Sequence, residues 1–305
     1  MPVAKRVTRE TLRNLNTAFK TIFNNVFSKA EPMWNKIAEK VDSSTLIETY
    51  SWLGQIPGMK EWLDERRIKR LDVEAYTLKN RKFEDTIALS RDAIEDDQVG
   101  NFKIAVRGLA DAASEHPEEL VFEALRLGHE KPCFDGQNFF DTDHPVMVKG
   151  EEVSVSNIQA GAGEPWYLLC TTKSLKPLVY QDRVAAELIV KDDPDGSDRA
   201  FMKDEFLYGT RARGAAGYTY WQLAFRSTAP LTPENFAAAR TAMMNQFGDE
   251  GRPLNIVPNL LVIGPSLETA ADEIVKVQRT DGGKDNTNYK KAEVLMTPWL
   301  AQQAA

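Results

Sequence analysis

Apolar residues recur at three- and four-residue steps through the first thirty positions: Leu12, Leu15, Phe19, Ile22, Phe23, Val26 and Phe27. That spacing gathers one apolar stripe on one face of a helix. Thr8, with Glu10 in the first turn, supplies a start signal. The period then changes. Residues 46–56 (LIETYSWLGQI) predict a strand that stops at Pro57-Gly58. Leu71, Val73 and Ala75 alternate with polar neighbours, and so do Phe83, Ile87 and Leu89, with Lys79-Asn80-Arg81-Lys82 between the two runs. The pattern predicts a hairpin with that basic tetrapeptide at its tip. Charge lies on both of its faces, and a two-stranded ribbon with so little apolar surface is marginal alone. It has to lean on a sheet elsewhere in the chain or on another subunit.

From about Asp92 the helical period returns, with Val99, Phe102, Val106, Leu109 and Ala113 on one stripe. Glu95, Asp96 and Asp97 crowd its start, where the helix dipole favours acids. Pro117 predicts a break or kink near His116, followed by a second helical piece over Leu120–Leu127 that ends at Gly128. The centre reads as strand and loop. Two strands flank Lys173–Pro177, and residues 204–227 predict strand, glycine-rich turn, strand. A helix over 233–247 has Thr232 as cap and Pro233 in its first turn. A strand before Gly264-Pro265 leads into a helix capped by Ser266, and a strand in KAEVLMTPWL closes the chain. Residues 280–288 read as a flexible loop. Helices and strands neither alternate nor segregate, so the fold class is α+β.

Composition narrows the function. The chain has 305 residues, 42% hydrophobic and 27% charged, with a net charge of −7. A uniform basic surface for nucleic acid or anionic membrane is absent, and no apolar run approaches the roughly 18 residues of a membrane span. The first 29 residues depart from the average, with Lys5, Arg6, Arg9, Arg13, Lys20 and Lys29 against Glu10 alone. Such an arm is either a solvated face opposite a buried stripe or a docking element. Cys133 and Cys170 have neither disulfide-framework nor zinc spacing.

Candidate chemistry is sparse. The segment GGKDNT lacks the leading glycine and the Ser or Thr of a phosphate-binding loop, and KDDPDG fails as a calcium loop at both its first and last ligand positions. Asp141, Asp143 and His144 lie within four residues and could ligate a divalent metal in a hydrolase. In an extended segment, however, His144 points away from the two carboxylates. The simpler reading is a polar turn before Pro145. Cys170, between Leu169 and Thr171, reads as core. His116 and His129 read as capping or surface residues at helix ends. No cofactor is implied.

Several segments taken together resemble the major head subunit of Mu-type tailed phages and Mu-like prophages, which has the Hong Kong 97 capsid fold. They are AYTLKNRKFEDTIALSRDAIEDD, CFDGQNFFDTDHPV, KPLVYQDR, YGTRARGAAGYTYWQLAFRS, LLVIGPSLETAADEIV and AEVLMTPWL. They run in the family's order from about residue 50 to 300.

The resemblance implies a structural, non-enzymatic protein. It would build an icosahedral head around double-stranded DNA without reading its sequence, in a virion whose parts are made in the host bacterial cytoplasm. It also implies an N-terminal arm (1–47), a strand and extended hairpin loop (48–91), and a peripheral domain with a long spine helix (92–180). A mainly axial domain (181–278) and a C-terminal loop and strand (279–305) would follow. Implied partners are further copies in pentamers and hexamers, a separate scaffolding protein, a portal and a decoration protein. A separate scaffold is expected because the first strand is read by residue 46, which leaves no room for a cleaved scaffolding segment. Expected interface residues are Trp62, Arg66, Arg67, Lys69, Arg70, Lys79, Arg81 and Lys82 on the hairpin, and Phe19, Phe23 and Phe27 on the arm. A nanocompartment shell of the same fold and the Asp141–His144 hydrolase are the alternatives.

Overall fold

The structure is a computed structural model that describes residues 7–50, 76–96, 99–193, 197–248, 251–280 and 282–301. In chain order the first elements are α1 (Arg9–Phe27), β1 (Ala38–Asp42), β2 (Ile47–Tyr50), β3 (Tyr76–Lys79), β4 (Arg81–Ser90), α2 (Arg91–Glu95) and α3 (Val99–Leu127). Next come β5 (His144–Val148), β6 (Glu151–Val155), β7 (Ile158–Gln159), β8 (Trp166–Leu169), β9 (Leu178–Lys191), α4 (Asp198–Lys203) and β10 (Glu205–Tyr218). The last are β11 (Ala224–Ser227), α5 (Pro233–Met244), β12 (Phe247–Gly248), β13 (Arg252–Pro253), β14 (Leu260–Ile263), α6 (Glu268–Val275) and β15 (Glu293–Met296).

Two sheets organise the chain. The first has the order β1-β9-β10-β4, and its two central strands, 14 residues each, pair antiparallel from Leu207↔Lys191 to Tyr218↔Leu178. Along β10 Phe206 and Tyr208 are buried on one face. They meet Leu12, Phe19 and Phe23 of α1 and Val106, Leu109, Ala110 and Ala113 of α3. Phe19 sets its ring edge-on to Tyr208 with centroids 5.0 Å apart.

The second sheet has the order β15-β14-β8-β11-β7. Every residue of β8 and β14 is buried, as expected of strands covered on both faces. Alternation decides which residue meets which layer. Tyr167 and Leu169 share a core with Leu120, Val121, Phe122 and Leu125 of α3. Trp166, Leu168 and Cys170 share another with Phe236, Ala239 and Met243 of α5 and Ala271, Ile274 and Val275 of α6. The N-terminal half of α3 thus serves the first sheet and its C-terminal half serves the second.

Local signals explain most helix starts. The Thr8 hydroxyl accepts the Thr11 N–H at 3.1 Å, and the Thr232 hydroxyl accepts that of Asn235 at 3.3 Å ahead of Pro233. Four expectations need correction. First, the expected hairpin arm Leu71, Val73 and Ala75 lies outside the described residues, and β3, which follows it, is not a hairpin partner of β4. β3 pairs with β2, and β4 pairs with β10 from Ser90↔Glu205 to Arg81↔Gly214. The alternating Phe83, Ile87 and Leu89 find their apolar partners on β10 and α3, so Lys79–Lys82 is a crossover between two ladders and not a hairpin tip.

Second, α3 runs for 29 residues through Pro117 without a break, about 43 Å at 1.5 Å per residue. Packing on both sides of the proline (Ala113 and Leu120 are both buried) holds the helix where propensity would end it. Third, the glycines of residues 209–217 lie inside β10 instead of in a turn. A Cβ at Gly217 would stand 2.6 Å from the Tyr76 hydroxyl, and one at Gly214 would stand 2.8 Å from the Gln181 carbonyl. Close approach, not turning, requires them. Fourth, Ser266 lies in a 3-10 turn, Pro265–Leu267, and bonds Glu164, while α6 begins without a side-chain cap. A further strand, β1, lies ahead of the first predicted one.

Candidate subunit interface and the Cys133–His144 cluster

β2 and β3 pair from Ile47↔Lys79 to Tyr50↔Tyr76, and their far ends lead into residues 51–75, which lie outside the described residues. Trp62, Arg66, Arg67, Lys69 and Arg70 fall there. The base of this ladder is fixed by a buried polar network. The Tyr50 hydroxyl donates to Gln181 Oε1 at 2.7 Å, and Gln181 Nε2 donates to Asn80 Oδ1 at 2.7 Å. Asn80 Nδ2 donates to the Ser43 hydroxyl at 3.0 Å and to the Thr45 carbonyl at 2.8 Å. Asn80 and Gln181 are buried, and the network as a whole supplies partners to both amides, as buried amides require. Glu48 closes the approach to β2 by accepting from the Ser43 hydroxyl and the Ser44 and Thr45 N–H groups at 2.8–3.0 Å. Those backbone bonds hold its carboxyl down at about 2.

The other expected interface residues divide. Lys79, Arg81 and Lys82 are exposed beside this base, with Arg81 3.7 Å from Glu123 and above the Phe83 ring. Phe19 and Phe23 are 0% and 1% exposed inside the chain, so α1 turns its aromatic face inward and not toward a neighbour. Phe27 is only partly covered. Sequence reasoning missed α4, where Phe201 is 86% and Met202 76% exposed. Leu46 and Ile47 are also half exposed.

The Asp141–His144 tetrad does not converge. Asp141 accepts the Thr142 N–H at 2.7 Å, and a hydrogen bond with Asp141 pushes the exposed Asp143 carboxyl up. The fully buried His144 ring turns to Asp135, Nδ1 to Oδ2 2.7 Å, and stacks flat on Trp221 at 4.0 Å. Cys133 Sγ donates to Asp135 Oδ1 at 3.0 Å, and burial, then Asp135, raises its thiol pKa. Cys133, Asp135 and His144 therefore form the one group of metal-ligating side chains among the described residues. The segment CFDGQNFFDTDHPV carries all three. His116 lies within α3, 3.9 Å from the Phe83 ring, and burial lowers its pKa. No described helix is long and apolar enough to cross a membrane.

A chain with two sheets spanned by one long helix, and with polar and apolar elements left uncovered at its edges, has the design of a shell-building capsid subunit. Comparison with known proteins agrees. Residues 12–300 match the family model of the Mu-like prophage major head subunit gpT, and the chain belongs to that family. It is 36% identical over 298 residues to the major capsid protein of Escherichia phage Mu, covering 95% of this chain and 97% of that one. It is 37% identical over 300 residues, with the same coverage, to the Mu-like prophage FluMu major head subunit of Haemophilus influenzae. Among solved structures it is similar to the subunit of the bacteriophage JBD30 procapsid, with a TM-score of 0.86 and 41% identity over 96% of this chain and all of that one. The JBD30 capsid subunit follows at 0.77 and 31%, over 97% of this chain and all of that one. The α+β fold is the capsid fold of these relatives, and the protein is a major capsid protein of a phage head.

Proposed function

We propose that the chain closes an icosahedral shell by reaching from each subunit onto the next, with residues 51–75 as the reaching element and the β2–β3 ladder as its root. The observation that supports this reading is the network joining Tyr50, Gln181 and Asn80, which ties the root to β9. Residues 66–70 read RRIKR, and the exposed Lys79, Arg81 and Lys82 add charge beside the root. Such charges steer association and set register more than they add affinity. Binding is then distributed over many small contacts, and closed symmetry keeps it from running on into filaments. In this reading α3 is the spine helix of the peripheral domain, and the second sheet with α5 and α6 builds much of the axial domain.

The shell encloses double-stranded DNA without reading it. A net charge of −7 avoids a uniformly basic lining that would grip phosphate and resist packaging and ejection. Scaffold, portal and decoration proteins are separate chains, and the subunit is made in the host cytoplasm before joining the virion. The protein acts by assembly and not by catalysis, and the turning of His144 away from Asp141 and Asp143 disfavours the hydrolase alternative. Expression of the chain alone tests the scaffold assignment: irregular or absent shells by electron microscopy support it, and uniform shells refute it.

A further inference from the structure

The loop between α3 and β5 is built to hold side chains in place. The Cys133 N–H donates to the Gln137 carbonyl at 2.8 Å and the Gly136 N–H to the Cys133 carbonyl at 3.3 Å. Gly136 takes φ +85° to close this turn, a conformation that favours glycine. Cys133 and Asp135, two apart on the turn, face His144 at the start of β5, and one ligand atom from each lies within 4.8 Å of the others. Each is positioned from outside the cluster, the first two by the turn and His144 by its stack on Trp221. Water has little access, since the side chains of Asp135 and His144 are 7% and 0% exposed and Cys133 is 6% exposed. The Asn138 carbonyl lies 4.0 Å from Sγ, near enough to serve as a further oxygen donor.

We propose that Cys133, Asp135 and His144 bind one divalent ion of the zinc class. One thiolate, one imidazole and one carboxylate form a donor set that zinc takes readily, at about 2.0–2.3 Å per bond. The present separations of 2.7 and 3.0 Å are those of hydrogen bonds. A tetrahedral ion would set them at about 3.3–3.8 Å, so the turn opens by roughly half an ångström. The exchange balances. The thiol proton leaves to solvent and the sulfur takes the metal. The imidazole's single proton, which Nδ1 now donates to Asp135, moves through solvent to Nε2 and frees the Nδ1 lone pair for the metal. The ion's two charges offset thiolate and carboxylate, so the buried site ends neutral. Bound there, the ion ties the turn to β5 and clamps Phe139 and Phe140, which pack on Tyr218 and Tyr167. The site thus braces the core beneath the second sheet.

The test uses the full chain, purified in its assembled form, stripped with a chelator and dialysed against cobalt(II), which takes zinc sites and reports thiolate ligation by a near-ultraviolet charge-transfer band. The expected result is one cobalt per chain with that band, displaced by zinc. Cys133→Ser keeps the hydrogen bond to Asp135 and should lose the band, whereas Cys170→Ser, at the other free cysteine, should retain it. Asp135→Asn should weaken binding by at least about tenfold. The proposal is overturned if folded wild-type protein holds no stoichiometric cobalt, or if the band survives in folded Cys133→Ser.

Discussion

The Tyr50 hydroxyl donates to Gln181 Oε1 at 2.7 Å, which ties the last residue of β2 to the middle of β9. Gln181→Ala would take the hydrogen bond made by Gln181 from two buried groups, the Tyr50 hydroxyl and the Asn80 side-chain oxygen. Each such group costs about 1–3 kcal/mol, so urea unfolding should report a loss of about 2–4 kcal/mol. Tyr50→Phe removes one donor and should cost about 1 kcal/mol. Both variants should lower shell yield more than stability, because the root of residues 51–75 loosens while the three apolar cores stay packed.

α1 is held by its aromatic face. Phe19→Ala empties a fully buried position against Tyr208 and should cost about 3–5 kcal/mol by denaturant unfolding. Phe27→Ala, at a partly covered position, should cost clearly less. Equal losses would contradict the inward orientation of the helix.

Pro117 lies inside α3, where it cannot donate to the Ala113 carbonyl. Pro117→Ala restores that bond and should stabilise the subunit by about 1–3 kcal/mol. An unchanged or lowered melting temperature would mean that the helix is shaped to the proline.

Glu48 is held at about 2, below its ordinary 4.5, so folding favours its charged form. Its contribution is fully present above about pH 4.5 and drains away as pH falls toward 2. Glu48→Gln should flatten the pH dependence of the urea midpoint across that window. A slope equal to that of the wild type would remove Glu48 from the account.

Much of this was legible in the sequence because the signals were local. Thr8 before an apolar stripe and Thr232 before Pro233 mark α1 and α5, since a cap and a period are properties of neighbouring residues. What failed depended on distant partners. The alternation of Phe83, Ile87 and Leu89 announces a strand but not that its partner is β10, more than a hundred residues on. Glycines that admit Tyr76 and Gln181 look the same in sequence as glycines of a turn. The Asp141–His144 tetrad drew attention by adjacency, yet the residue that meets His144 is Asp135, brought there by the Gly136 turn. The dipeptide Cys133-Phe134 followed by Asp135-Gly136 was the available sign of that turn.

The central claim is that residues 51–75 complete a neighbouring subunit. Its most direct test is the double charge reversal Arg66→Glu with Arg67→Glu, expressed with the other head proteins and counted as particles by electron microscopy. The account predicts subunits with the wild-type circular dichroism spectrum and melting temperature but few or no closed shells. Shells at wild-type yield would contradict it.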